Sequence, residues 1–393
     1  MSAPEKRVYT LQFWLLCLSL FLFLGSFNLL IPELPAYLRA MGGEQYLGLI
    51  ISLFALTAGL ARPLSGKLTD KVGRIPVIAF GVIISVVCGV LYTMVAGIVG
   101  FFIIRLLHGL SAGFAPTGNT SLLTDIIPPG KRGEAMGYVG IATSLGMAVG
   151  PPVGSWIAMH YSHDVLFFAS SASALLALVA VAGIKETLKN KQPFSPKMLI
   201  IHKDEVVDRD VAAPALVMLM TIFSFGLLLT IVPDYSEFLE MDNKGVFFTY
   251  FLTASLLVRA TAGQASDRYG RQVMLKIGVA LQLIALIMMA LMPFKAAFLS
   301  AGVVFGLGSG VISPTLFAWT ADLAQDHQRG KAMSTLFLAL EIGILLGALG
   351  SGFLYNNQSE RFPLTFLLGA LFTGASLFYL LKRWPAFHRS RSL

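Results

Sequence analysis

Long apolar stretches recur along the chain and are separated by short polar segments. Each stretch is about 20 residues long, the length that a helix needs to cross the roughly 30 Å hydrocarbon layer of a bilayer. About twelve such stretches occur in the 393 residues, beginning near positions 11, 46, 75, 98, 134, 165, 211, 245, 274, 297, 331 and 363. The pattern predicts an all-α integral membrane protein with twelve transmembrane helices.

The first apolar stretch follows Lys6 and Arg7, as the apolar core of a secretory signal peptide would. It is too long for such a core, lacks a small-residue cleavage site and is followed by eleven more stretches, so we interpret it as the first span. Twelve spans leave only short loops and termini. No water-soluble catalytic domain fits between them, and the sequence predicts that the protein is not an enzyme.

The composition agrees with a membrane interior, because 56% of the residues are hydrophobic and only 13% are charged. Cys17 and Cys88 both lie inside apolar stretches, where cysteine behaves as a small hydrophobic residue and does not report the redox compartment. The sequence shows no metal-ligand spacing and no cofactor motif that fits its context. We expect neither a metal nor a cofactor.

The net charge of +8 is distributed very unequally along the chain. If the N-terminus is cytoplasmic, nearly all lysines and arginines fall in cytoplasmic segments. The exceptions in spans or external loops are Arg39, Arg62, Arg105, Lys244, Arg259, Lys295 and Arg361. This asymmetry follows the positive-inside rule. It predicts a multi-pass membrane protein with both termini cytoplasmic, in contact with lipids and not with nucleic acid.

The two halves of the chain are related in sequence. A shift of 197 residues places segment 66–74 on segment 263–271, Arg62 on Arg259 and Asp125 on Asp322. A polar segment lies between the two copies. The repeat predicts a six-helix bundle over residues 1–184, a cytoplasmic linker over 185–211 and a second six-helix bundle over 212–393. Because each copy has an even number of spans, the copies point the same way, and a substrate site is expected between them near the midplane.

Segment 66–74 reads Gly-Lys-Leu-Thr-Asp-Lys-Val-Gly-Arg, and its second copy lies in the equivalent loop between spans 8 and 9. It resembles the G-x-L-x-D-[RK]-x-G-R signature of the major facilitator superfamily, and the resemblance covers essentially the whole chain. It implies a twelve-span transporter of the bacterial plasma (inner) membrane, here expected to be a monomer. Two halves would rock around a central cavity and carry a small molecule by alternating access.

The resemblance also implies a gate at the signature loops. Asp70 would latch onto the start of span 11 near residues 329–331, and Asp267 onto the start of span 5 near residues 132–134, since the N-terminal end of a helix attracts negative charge. The charge clusters are completed by Arg74, Arg271, Asp125 and Asp322. The alternative is that these charges only set topology and loop geometry.

Span 5 contains Gly146-Met-Ala-Val-Gly150-Pro151-Pro152-Val-Gly154, which resembles the G-x-x-x-G-P-x-x-G element of the antiporter branch of the superfamily. Small residues at this spacing allow close helix packing, and Gly150 and Pro151 are expected to form a pivot. The resemblance favours export of a drug-like compound or metabolite by proton antiport. Proton-coupled uptake by symport, or export of a metallophore (siderophore), sugar or lysolipid, remains an alternative.

Arg105 begins Arg105-Leu-Leu-His108-Gly109, which is similar to the R-x-x-Q-G-x-G motif of the antiporters, with histidine in place of glutamine. An arginine at this depth is costly, so we expect it to face the cavity or to pair with an acid. His108 can titrate near neutral pH or serve as a hydrogen-bonded packing residue. Arg62 and Arg259 lie near the signature loops, where snorkelling to the surface is as plausible as function.

Three carboxylates within spans are candidates for proton coupling, in addition to His108. Glu341 is about 15 Å deep in span 11 and aligns with Ser144 in the other half. Glu33 and Asp234 align with each other near the outer ends of spans 1 and 7, where they can also simply be wetted. A carboxyl that alternates between apolar surroundings and a nearby arginine can load and release a proton. We predict Glu341 first and Glu33 second.

The cavity is expected to be lined by spans 1, 4, 7 and 10. The candidate substrate contacts in these spans are Asn28, Arg105, Asn119, Phe225 and Trp319.

Overall fold

A computed structural model describes residues 9–127, 132–188, 190–200, 207–323 and 329–382, and within these ranges the regular elements are helices. The α-helices in chain order are α1 (Leu11–Asn28), α2 (Leu34–Ala40), α3 (Leu47–Lys71), α4 (Arg74–Met94), α5 (Gly97–Ile126), α6 (Arg132–His160), α7 (His163–Ala182), α8 (Ala212–Phe238), α9 (Val246–Tyr269), α10 (Arg271–Leu291), α11 (Lys295–Leu323), α12 (Arg329–Tyr355) and α13 (Phe362–Lys382).

These helices match the predicted spans one to one once the short α2 is counted with α1. Ten segments of the described chain are long and apolar enough to cross a membrane, and α9, which bends by 53° between Arg259 and Thr261, makes an eleventh. The twelfth is α6, with 29 residues. The least accurate predicted start is that of α10, expected near Met274 and observed at Arg271. The predicted all-α membrane fold is confirmed.

The two halves pack their helices in the same pairs. In the first half, α1 packs on α6 and α7, α5 on α3 and α4, and α4 on α7. In the second half, α8 packs on α12 and α13, α11 on α9 and α10, and α10 on α13. Glycines allow the closest of these approaches: Gly150 and Gly154 of α6 lie against α1, and Gly347 of α12 lies against α8. The sequence repeat is thus a structural repeat.

The halves meet along two seams, α3 against α12 and α6 against α9. We call the end of the bundle that carries residues 183–211 the linker face and the opposite end the distal face. At the distal end of the first seam, Gly48 lies against Gly352. A Cβ on Gly352 would collide with the backbone of Gly48, and a Cβ on Gly48 would collide with the carbonyl oxygen of Ala348. At the second seam, Gly245 lies against Pro151 in the same way. The halves are in close backbone contact near the distal face.

Side-chain hydrogen bonds also join the halves. Arg39 donates to Asn357 and Asp234, and the amide of Asn243 donates to the carbonyl of Pro152. These bonds lie toward the distal face. By contrast, Asp70 and Asp267 at the linker face have side chains that are 75% and 68% exposed. The described contacts are those of a bundle closed at its distal face.

At the linker face, residues after α7 fold back onto the start of α4. The carboxylate of Glu186 accepts hydrogen bonds from the backbone N–H groups of Ile75, Thr187 and Leu188. Partial burial alone raises the pKa of this carboxyl, but the backbone donors outweigh burial and hold its pKa below its ordinary value. A lowered pKa means that the contact stabilises the fold at neutral pH and is lost as the pH falls below about 4.3.

Replacement of Gly73 by alanine is expected to destabilise the protein more than the same change at Gly270. Both glycines have positive φ, +134° and +93°, so alanine is strained at either position by about 1–3 kcal/mol. Only at Gly73 would the new Cβ also collide with the carboxylate of Glu186. Thermal unfolding of the two variants measures the difference. Equal melting temperatures would show that the Glu186 contact makes no measurable contribution to the stability of the fold.

Candidate functional site

A cavity of about 240 Å³ lies between the two halves. Its wall is mostly apolar, with three charged side chains and one amide. The lining residues are Leu24, Phe27, Asn28, Ile31, Ile51, Phe54, Ala55, Ala58, Arg62, Arg105, Ala112, Pro116, Met147, Phe225, Leu229, Leu340, Glu341 and Ile344. An apolar wall with a few convergent polar groups is typical of a small-molecule site.

The helices that line this cavity differ in part from those expected. Helices α1, α5 and α8, which are spans 1, 4 and 7, contribute as predicted. The predicted contribution of span 10 is not observed, since the lining contains no residue of α11. Its place is taken by α3, α6 and α12, which form the seams between the halves. When the seams are closed, residues on these helices reach the centre of the molecule.

Glu341 of α12 forms an ion pair with Arg62 of α3 at the cavity wall. The carboxylate oxygen Oε1 lies 2.6 Å from Nη2 and 2.7 Å from Nε of the guanidinium group. The side chain of Glu341 is only 7% exposed. The pair crosses one seam, so it connects the two halves. The sequence identified Glu341 but not its partner, because Arg62 is 279 residues away and was equally consistent with snorkelling.

The second seam, α6 against α9, carries the two residues that align with Arg62 and Glu341, but neither of them is a carboxylate. Arg259 of α9 aligns with Arg62, and Ser144 of α6 aligns with Glu341. Arg259 Nη1 lies 3.4 Å from the Ser144 hydroxyl oxygen, which is a weak contact. The repeat therefore aligns an arginine at both seams, but among the described residues the position facing it holds a carboxylate at only one.

Arg105 of α5 is 2% exposed and faces the cavity. Its Nε donates to the carbonyl of Ile50, its Nη1 donates to the Tyr92 hydroxyl, and its guanidinium carbon lies 4.8 Å from the centre of the Phe54 ring. Among the residues whose positions are described, no carboxylate lies within 4 Å of it. The expectation that Arg105 faces the cavity agrees with this placement, whereas the alternative of an acidic partner does not.

His108 lies behind the cavity wall and is fully buried. Its Nε2 is 3.2 Å from the Ser85 hydroxyl, and the rings of Phe27, Phe54 and Tyr92 surround it. Its Nδ1 has no hydrogen-bond partner in the described structure. A buried imidazole between aromatic rings and a hydroxyl suits a neutral packing residue better than a proton carrier.

The other predicted cavity residues divide into two groups. Asn28 and Phe225 line the cavity, as expected. Asn119 instead lies between α5 and α1, where its amide is 3.4 Å from the hydroxyl of Ser19. Trp319 packs in the apolar interior of the second half. Neither of these two side chains is part of the described cavity lining, because each points into its own bundle.

Glu33 and Asp234 lie near the distal face and are both buried. Glu33 accepts a hydrogen bond of 2.7 Å from the Ser155 hydroxyl within the first half. Asp234 forms an ion pair with Arg39 that joins α8 to α2 and thus bridges the halves. Their surroundings do not match the alternative that these carboxylates are wetted at the surface.

The linker face carries the same charge cluster twice. Arg74 Nε donates to Asp125 at 2.9 Å, and Arg271 Nε donates to Asp322 at 2.9 Å. Asp70 lies 3.5 Å from Arg74 Nη1, and Asp267 lies 2.5 Å from Arg271 Nη1, each within its own half. The predicted latch partners, the side chains of residues 132–134 and 329–331, lie outside the described residues.

Gly150 and Pro151, predicted as a pivot, lie where α6 contacts two neighbours. A Cβ on Gly150 would collide with Asn28 of α1. Pro151 contacts the backbone of Gly245 where the seam between α6 and α9 reaches the distal face. This part of α6 therefore connects the cavity wall to the distal closure.

Comparisons with known proteins agree with this architecture. Residues 16–296 and 214–392 match the family model described as Major Facilitator Superfamily. The chain is 22% identical to the quinolone resistance protein NorA of Staphylococcus aureus (strain MRSA252) over 399 residues, covering 97% of this chain and 98% of NorA. It is 23% identical to the MFS-type transporter MJ1560 of Methanocaldococcus jannaschii over 362 residues, covering 90% and 92%.

Among solved structures, the human organic anion transporter MFSD10 superimposes with a TM-score of 0.73 at 19% identity. The match covers 96% of this chain and 100% of that protein. At this identity the likeness shows a shared fold.

Proposed function

Because the chain belongs to the Major Facilitator Superfamily, whose members are transporters, we propose that it exports a small organic molecule through the central cavity in exchange for protons. The efflux direction is supported by the full-length similarity to the quinolone resistance protein NorA. The antiporter-like element of α6, from Gly146 to Gly154, supports exchange. The observation that carries the proposal is the ion pair between Arg62 and Glu341.

This pair connects proton binding to the opening of a seam. With Glu341 ionised, the pair joins α3 to α12 and stabilises the closed distal face. A proton on Glu341 removes its charge, and a partly buried arginine then loses its partner, which weakens the contact between the halves. A protein with neither ligand is held closed, whereas either a proton on Glu341 or a substrate that competes with Glu341 for Arg62 would allow the halves to separate. Exchange requires that the carrier cannot change conformation when neither substrate nor a proton is bound.

We further propose that the linker face is cytoplasmic, as the distribution of lysine and arginine supports. The structure then corresponds to a cavity reached from the cytoplasm and closed toward the outside by the glycine contacts and the Arg39–Asp234 pair. One chain encloses the cavity, which supports the predicted monomer. The clusters around Arg74 and Arg271 would form the opposite closure after the halves rock.

Asp234→Asn is expected to weaken the distal closure, since it removes the charge that holds Arg39 across the halves. A cysteine introduced at Leu229 in the cavity wall would then react about ten times faster with a membrane-impermeant thiol reagent applied from the distal side. The matched control is Glu237→Gln, which removes an exposed carboxylate that pairs with Lys244 in the same half. An unchanged rate in Asp234→Asn would contradict a gating role for this pair.

Reconstituted vesicles test the proposed exchange. A fluoroquinolone is a suitable probe because of the similarity to NorA. For a carrier inserted with its linker face outward, an acidic vesicle interior should drive accumulation of the probe inside, and collapse of the pH gradient should abolish it. Accumulation driven by the opposite gradient would instead support proton symport, the alternative mechanism. Absence of gradient-driven accumulation for a broad panel of compounds would contradict both.

A further inference from the structure

The charges of the cavity wall are not balanced. Two guanidinium groups and one carboxylate line it, and the carboxylate of Glu341 is already paired with Arg62. Arg105 has only neutral partners, a backbone carbonyl, a hydroxyl and an aromatic ring. The cavity therefore carries one cation that no described acidic residue within 4 Å neutralises.

Burial makes this imbalance consequential. Arg105 is 98% buried in a wall that is otherwise formed mostly by aliphatic and aromatic side chains, where electrostatic attraction is far stronger than in water. The chain retains a buried cation at a cost in insertion free energy. Arginine presents a planar fork of donors that matches a carboxylate or similar anion.

The other candidate acids do not provide a site for a cation. Glu341 is taken by Arg62, Glu33 accepts from Ser155, and Asp234 is held by Arg39 near the distal face. Asn28, the remaining polar residue of the wall, donates its amide to the carbonyl of Leu24. The described polar groups at the cavity thus favour a negatively charged ligand.

We propose that the substrate is an organic anion with a small apolar body, whose carboxylate or equivalent group binds Arg105 while its rings contact Phe27, Phe54 and Phe225. This inference rests on the proposed function, in that it takes the central cavity as the substrate site. The cavity volume of about 240 Å³ is below the roughly 300–1,000 Å³ of drug-sized sites, so a body of one or two rings fits this state.

An anion in the cavity would supply the carboxylate partner that Arg105 lacks. Since the intact Arg62–Glu341 pair holds the halves closed, the anion must also compete with Glu341 for Arg62 before the loaded carrier can move. Substrate and proton then release the same contact in turn, as exchange requires.

Equilibrium binding to the protein in lipid nanodiscs tests the proposal without any gradient. The probes are 2-naphthoate, its neutral isostere 2-naphthamide and the cationic 2-naphthylmethylammonium, with empty nanodiscs to subtract partition into lipid. We expect 2-naphthoate to bind at least ten times more tightly than the amide, and the cation to bind most weakly. Arg105→Gln should reduce the preference for the anion to near unity, and Arg105→Lys should retain part of it, because lysine keeps the charge but loses the fork.

Glu341→Gln provides a second variant that leaves Arg105 in place. It makes the wall more positive, and the preference for the anion should increase about threefold or more. Equal or tighter binding of the cation, no saturable binding of any probe, or an undiminished preference in folded Arg105→Gln would overturn the proposal. If Arg105→Gln does not fold, a preference that fails to rise in Glu341→Gln contradicts it.

The transport assay separates the two proposals. Preferential binding of 2-naphthoate with no gradient-driven flux would contradict proton exchange alone. Gradient-driven flux restricted to cations would contradict the anion site alone.

Discussion

Glu341→Gln is expected to abolish accumulation driven by a pH gradient while leaving ligand exchange in place. Glutamine has nearly the shape of glutamate but carries neither a charge nor a titratable proton, so the seam between α3 and α12 no longer distinguishes protonated from unprotonated carrier. Gradient-driven accumulation should fall at least tenfold. Counterflow of labelled against unlabelled substrate at equal pH, which needs no proton, should continue.

Glu33→Gln is the matched control for this change. Glu33 is a buried carboxylate at the distal side of the first half, but its partner, Ser155, is neutral and lies in the same half. It does not bridge a seam, and we expect accumulation to remain within about threefold of the unchanged protein. If Glu341→Gln kept its response to pH and Glu33→Gln lost it, the assignment of the coupling carboxylate would be reversed.

Asp70→Asn is expected to block transport with little effect on binding or on membrane expression. In the structure, Asp70 is largely exposed and lies near Arg74 in its own half. The proposed latch would form only after the halves rock and the linker face closes. Loss of the negative charge should remove an attraction to the start of α12 and slow this closure, with transport reduced at least tenfold.

Asp267→Asn provides the comparison within the same chain. The second cluster has the same geometry around Arg271, so its loss should also slow transport. Asp125→Asn removes a different partner of Arg74, at 2.9 Å, and tests whether the intact cluster is needed. Normal transport by Asp70→Asn would contradict the proposed latch. These charges would then have a role in topology only.

Much of the fold follows from the sequence because its causes are local. Apolar stretches of about 20 residues define the helices, and the predicted starts at Leu11 and Tyr46 lie within a residue of the observed ones. The repeat gave the arrangement of the halves, since aligned helices pack in the same pairs. The broken first span, with α2 following Pro32, was the main irregularity that the apolar pattern did not reveal.

The site was less predictable because its contacts join distant residues. Arg105 was expected at the cavity because an arginine at that depth in the membrane is costly unless it faces the cavity or pairs with an acid. Arg62 was not expected there, because its partner Glu341 lies on α12 and no pattern in the sequence links two residues so far apart. Trp319 and Asn119 were expected at the cavity only because of the helices that carry them. These helices are buried and uniformly apolar, so no polar face in the sequence shows which way a given side chain points.

The difference between the seams is the most informative feature of the repeat. Arg62 and Arg259 are shared, which is consistent with a common role of these arginines where the halves meet. Glu341 has only Ser144 as its counterpart, so the proton-sensitive contact exists at one seam. A duplicated carrier thus acquires a specific coupling site through a residue that the two copies do not share.

Proton movement in sealed vesicles tests the central claim most directly. Vesicles with the carrier's linker face outward, a pH-sensitive dye inside and no initial pH gradient receive substrate on the outside. Inward movement of substrate should acidify the medium and raise the internal pH, as one proton or more leaves for each molecule that enters, and Glu341→Gln should show substrate movement without the pH change. A fall in internal pH on substrate entry, or an unaltered signal in Glu341→Gln, would contradict proton exchange through the Arg62–Glu341 pair.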